Sequence, residues 1–137
     1  MMIRLTGAAL GIALLSVPAA YAGPRDDILA TYAAAAKAAD AGFAGFSADR
    51  GKALYESQNT ASADAASCST CHTASPLKAG KTRAGKDIAP MAVSVSPDRF
   101  TDAAKVEKWF GRNCNTVLGR ECTAVEKGDF ITYLSGL

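Results

Sequence analysis

Cys68-Ser69-Thr70-Cys71-His72 is the stretch that decides how this chain folds. Its C-x-x-C-H spacing reads as an attachment site for c-type haem. Two thiols three residues apart reach the two vinyl groups on one porphyrin edge, and the adjacent histidine offers an imidazole nitrogen to the iron. Two other readings use the same residues. A thioredoxin-like dithiol belongs in a βαβ setting, and no such pattern surrounds this one. A zinc site built from Cys68, Cys71, Cys114 and Cys122 needs its second pair about two to four residues apart, whereas seven residues lie between these two. Cys68 and Cys71 are therefore read as the covalent haem attachments, His72 as the proximal iron ligand, and the cofactor as one covalent haem c.

The chain has 137 residues, with 15 Lys and Arg against 13 Asp and Glu, four cysteines and one histidine. That length allows one domain and excludes a multidomain enzyme. A near-neutral balance without a long basic block excludes the clustered cationic face of a nucleic-acid binder. The single histidine excludes bis-histidine haem ligation. Aromatic residues make up 7%, so a small apolar core needs a cofactor or crosslink to complete it. Residues 1–22 have the form of a secretory signal: Arg4 is positive, Leu5 to Ala20 is apolar, and Ala20-Tyr21-Ala22 supplies the cleavage positions. Cleavage after Ala22 leaves 23–137 as a monohaem domain in an oxidising compartment, the bacterial periplasm.

Along that domain the periodicity is helical. Asp26 and Asp27 open a helix running to about Ala39, which Gly42 and Gly45 break. Ser47 caps a second helix, Ala48 to about Gln58. After the cysteine motif, Thr73 to Ser96 reads as a long Gly-, Lys- and Pro-rich loop of the kind that wraps a ligand or carries function. Thr101 caps a helix on which Val106, Trp109, Phe110 and Asn113 share one face. Thr123-Ala124-Val125-Glu126 is a capping box for the last helix. No segment sustains strand alternation, so the fold class is all-α.

Cys114 and Cys122 remain, and in an oxidising compartment they most simply form a disulfide around Gly119. Closing that loop stabilises by about 2.5 kcal/mol in the chain-entropy model. The face bearing Trp109, Phe110 and Asn113 must bury against a core that is largely haem, so these residues are expected at the cofactor. Two side chains then compete for the distal iron position. Asn113 would be a buried amide in need of a partner, and Met91 offers the thioether usual in electron-transfer cytochromes c. On residue chemistry alone they stand level. Lys78, Lys81, Arg83 and Lys86 form a positive run, read as a solvated loop rather than a docking patch or compensation for the haem propionates.

Four stretches then carry a family likeness: Gly85-Lys86-Asp87-Ile88-Ala89-Pro90, Pro97-Asp98-Arg99-Phe100-Thr101-Asp102, Val106-Glu107-Lys108-Trp109 and Gly111-Arg112-Asn113-Cys114-Asn115, continued by Leu118-Gly119-Arg120-Glu121-Cys122. In this order they resemble the sphaeroides haem protein family, itself similar to cytochrome c″, which carries histidine where this chain has Asn113. The likeness covers most of 48–137. It implies a class-I-like cytochrome c fold around one covalent haem, with His72 proximal, Asn113 distal and Cys114–Cys122 bonded beside it. Met91 falls where the family has leucine, which favours packing over ligation. Such proteins resemble electron carriers that bind small ligands (O2, NO, CO) once reduced, fed by a diheme or membrane cytochrome. A monomer is expected, and an electron carrier or ligand-binding haem protein rather than an enzyme. The alternatives are a His72/Met91 shuttle, or a reductase of oxygen, peroxide or nitrogen oxides in which Arg112 or Lys86 would have to serve as the distal acid or base.

Overall fold

A computed structural model describes residues 23–137; the segment read as a signal, 1–22, lies outside the described residues. The elements are α1 (Pro24–Ala39), α2 (Ala48–Glu56), α3 (Ser69–His72), β1 (Gly80–Lys81), β2 (Asp87–Ile88), α4 (Ala103–Leu118) and α5 (Ala124–Ser135). The fold is all-α, as read from the sequence, but for one small antiparallel hairpin. Its register is Gly80 to Ile88 and Lys81 to Asp87, too short to leave an alternating signature. The turn makes it: Thr82 N–H donates to the Lys86 carbonyl at 2.8 Å, and Gly85 takes the left-handed backbone (φ 77°) the reversal needs.

Local chemistry sets the helix ends. Ser47 accepts the Arg50 N–H at 3.3 Å to start α2, which stops at Glu56, two residues short of Gln58, where Ser57 turns extended and bonds back to the Leu54 carbonyl. The cap of α4 is Asp102, not Thr101: its carboxylate accepts the Lys105 N–H at 2.9 Å, while the Thr101 hydroxyl donates to the Asp98 carbonyl. A carboxylate at this position also faces the positive end of the helix dipole. The capping box of α5 forms in both directions between Thr123 and Glu126.

Helix α5 is the centre of the fold, packing on α2 and α1. It meets α2 backbone to backbone, since a Cβ on Gly51 would lie 2.1 Å from the Asp129 carbonyl oxygen. The same crossing holds a fork: Arg50 Nε and Nη2 reach the two Asp129 oxygens at 2.7 and 2.8 Å, and the Ser47 N–H adds 2.6 Å. These donors satisfy a carboxylate that is otherwise buried. Phe130 of α5 is the aromatic hub, edge-on to Phe110 of α4 at 5.6 Å and tilted against Tyr55 of α2 at 6.1 Å.

The expected face of α4 divides. Val106 and Phe110 are buried, continuing through Cys114 and Val117. Trp109 and Asn113 stand outside this buried stripe, on the side of α4 that lines the cavity. A stripe at i, i+4, i+8 and i+11 takes the core side, and its i+3 neighbours fall at the edge.

Replacing Gly51 by alanine forces α2 and α5 apart at their contact. The expected loss is about 2–3 kcal/mol, read as a lower denaturant midpoint at unchanged slope.

Candidate functional site

Helix α3 is a single turn, and both sides of it are fixed. The His72 N–H donates to the Cys68 carbonyl at 3.1 Å. Beyond it Thr73 has φ 66°, uncommon for a β-branched residue and stable only when its surroundings hold it. The hold is Tyr55: its hydroxyl, on a fully buried side chain, donates toward the carbonyl oxygens of His72 and Thr73 at 3.1 and 2.7 Å. Burial pushes the Tyr55 phenol up, so it stays a donor. From the other side Gly80 of β1 lies so close that a Cβ would sit 2.0 Å from the Cys71 carbonyl oxygen.

Cys68, Cys71 and His72 open onto a cavity of about 1190 Å³ whose walls also carry Met91, Trp109, Phe110 and Asn113. All the expected site residues therefore share one space. Neither motif cysteine is in a disulfide, which leaves both sulfurs for covalent attachment. Burial, and then the Arg99 charge, lowers the His72 imidazole, keeping it neutral as a metal ligand must be. Met91 is 7% exposed within the core cluster, its N–H bonded to the Pro76 carbonyl at 2.8 Å.

On the α4 wall, Asn113 precedes Cys114, which is bonded to Cys122 across a Cα separation of 5.6 Å. Gly119 ends α4 with φ 68°. Arg120 grips Glu126 at 2.7 and 2.8 Å and holds that carboxyl below the usual range. Trp109 lies under the Arg112 guanidinium, 5.7 Å from the ring centre.

The residues suit a haem. His72 is half-buried on this wall, and its Nδ1 has no hydrogen-bond partner among the described residues, so no protein group of that set competes there for the imidazole. Two free thiols flank it on a mostly apolar wall of a size for a large planar group. Among the described residues no three His, Cys, Asp or Glu side chains converge as a metal site, and the Cys114–Cys122 bond removes the four-cysteine zinc reading. Sequence reading gave no role to Tyr55, Gly80 or Arg99. Gly80 lay in the stretch read as loop, Arg99 figured only in a motif that carries the family likeness, and Tyr55 lay within the second helix with no role of its own.

A helical fold closed over one C-x-x-C-H turn defines a c-type cytochrome. Residues 41–134 match the family described as a domain of unknown function (DUF1924). The chain is 56% identical over 89 residues to the cytochrome c-type protein SHP of Cereibacter sphaeroides, covering 64% of this chain and 69% of that one. It is 46% identical over 76 residues to cytochrome c″ of Methylophilus methylotrophus, covering 55% of this chain and 53% of that one. The solved structure of oxidised SHP, described as an oxygen-binding cytochrome c, matches with a TM-score of 0.76 at 49% identity, covering 82% of this chain and 96% of that one. A solution structure of cytochrome c″, described as giving insight into haem-ligand detachment, matches with a TM-score of 0.69 at 34% identity over 80% of this chain and 90% of that one. The chain belongs to the SHP family of c-type cytochromes, related to cytochrome c″, and carries covalently bound haem c.

A Tyr55→Phe variant removes the donor that closes α3. It is expected to lose about 1–2 kcal/mol of stability, seen in thermal unfolding, with haem content per chain close to that of the parent.

Proposed function

We propose that this protein is a periplasmic monohaem electron carrier that exposes a small-ligand site when reduced, with Asn113 as the gate. Cys68 and Cys71 hold the haem, and His72 is its proximal ligand. When bound, the haem supplies a one-electron couple and an iron able to take O2, NO or CO. The observation that carries the reading is the placement of Asn113 on the α4 wall of the cavity onto which His72 opens, whereas Met91 belongs to the apolar core cluster.

The amide oxygen of Asn113 is a neutral, hard donor, better matched to ferric than to ferrous iron. It therefore holds its position in the oxidised protein and withdraws on reduction. Its helix keeps the backbone still, because Cys114 and the α5 cap pin the segment that follows. The oxygen binding stated for SHP and the haem-ligand detachment stated for cytochrome c″ support a carrier of this kind. Met91 packs against the haem edge. Trp109 and Phe110 flank the cofactor from α4, Trp109 at the rim and Phe110 from the core.

A cytochrome, diheme or membrane-bound, remains the proposed electron donor, and the carrier itself a monomer. The basic loop favours a solvated face over a docking patch, since Lys81 pairs with Asp87 at 2.5 Å and Arg83 with Asp64 at 2.8 Å. An ordinary His72/Met91 shuttle is the second reading, because Met91 also lines the cavity.

Visible spectra of the haem-loaded protein decide between them. The expected result is a high-spin ferrous spectrum that shifts with carbon monoxide, with Asn113→Ala altering the ferric spectrum and Met91→Leu leaving both states unchanged. A low-spin ferrous spectrum indifferent to carbon monoxide, converted to high spin by Met91→Leu, would put the thioether on the iron and overturn the gate.

A further inference from the structure

Among the described residues Arg99 has no partner of opposite charge, although it lies on the cavity wall and is partly buried. Its Nε donates to the Pro90 carbonyl at 3.1 Å and its Nη2 to the Ala89 carbonyl at 2.6 Å, both neutral acceptors. It enters none of the ion pairs found among the described residues. A guanidinium has five N–H donors, so donors remain after these two bonds. Withdrawing a charge from water is unfavourable unless an opposite charge meets it.

The backbone here is held in a costly shape. Phe100, the next residue, has φ 61°, a conformation that a bulky side chain adopts only when its surroundings impose it. The reversal sends the Phe100 ring edge-on to Phe130 while Arg99 stays on the cavity side. Arg25, at the start of α1, locks it from outside: its Nε and Nη2 reach the Arg99 carbonyl at 3.2 and 2.9 Å, and Nη2 reaches the Pro97 carbonyl at 2.7 Å. The other cations on the wall are engaged or more exposed. Arg83 is paired with Asp64, Arg112 stacks on Trp109, and Lys105 is exposed. Of the wall's carboxylates, Asp102 is occupied as the α4 cap, and Asp98 forms no ion pair with Arg99.

We propose that Arg99 is the counter-cation for the carboxylate side arms of the haem and raises its reduction potential, with Arg25 as the positioning residue that aims it. The proposal rests on the haem occupying this cavity as set out above. A fixed positive charge beside the cofactor disfavours the extra positive charge of the ferric state, and the low-dielectric wall strengthens that effect.

The test compares midpoint potentials of the haem-loaded full chain at one pH and ionic strength. Arg99→Gln is expected to lower the midpoint, and Arg99→Lys, which keeps the charge but not the planar fork, to restore most of it. Both variants lose the carbonyl bonds and so should lose similar stability, which separates charge from structure. Arg25→Gln is expected to give a smaller fall in the same direction. An Arg99→Gln midpoint equal to the parent's overturns the proposal, and so does an Arg99→Lys midpoint as low as that of the glutamine variant. If Arg99→Gln does not accumulate with haem, an unchanged midpoint in Arg25→Gln overturns it instead. A parent chain without covalent haem would sink the underlying reading of the site. A loaded parent whose potential ignores Arg99 sinks this inference alone.

Discussion

The carbonyls of His72 and Thr73 are paired with a buried tyrosine hydroxyl, and much of the molecule is arranged around that pairing. They end a one-turn helix that has too few internal bonds to be stable alone. Tyr55 supplies the hydroxyl, which fixes where α2 must lie. Helix α2 in turn is set by its glycine contact with α5 and by the Arg50–Asp129 fork. Helix α5 then carries Phe130 against α4. A chain of short helices thus acquires a rigid frame around a cavity that its sparse aromatics could not fill.

The fold class and most helix boundaries were legible because each rested on a local signal. Ser47, the Thr123–Glu126 box and the acidic start of α1 act within three or four residues of themselves. The cap of α4 was displaced by one residue because Thr101 and Asp102 are both competent, and the carboxylate prevailed. The C-x-x-C-H motif and the two further cysteines were legible for the same local reason, and the structure brings all of them to one cavity or its border. The other contacts were not legible. Tyr55 and Gly80 act on α3 from a different helix and from the hairpin that follows it, and a lone tyrosine or glycine carries no mark of such a partner. The hairpin at Gly80 was hidden because two residues per strand are fewer than one period of alternation needs.

The face of α4 shows where periodicity stops being informative. Helical spacing groups Val106, Trp109, Phe110 and Asn113, yet it does not say which edge of a wide stripe meets core and which meets cavity. The buried set, Val106, Phe110, Cys114 and Val117, overlaps the expected one in two members. Trp109 and Asn113 lie on the cavity wall together, four residues apart and so one turn from each other.

That arrangement bears on how a gate of the proposed kind would work. Cys114 is buried and bonded, so the backbone of α4 is fixed within one residue of Asn113. The side chain at 113 nevertheless projects roughly 100° away around the helix, onto the cavity wall rather than into the packed stripe. Release of Asn113 in such a gate would need a side-chain movement only, leaving the disulfide and the α5 cap undisturbed. Placing the amide beside the stripe, and pinning its neighbour, would separate the moving part of such a gate from the supporting one.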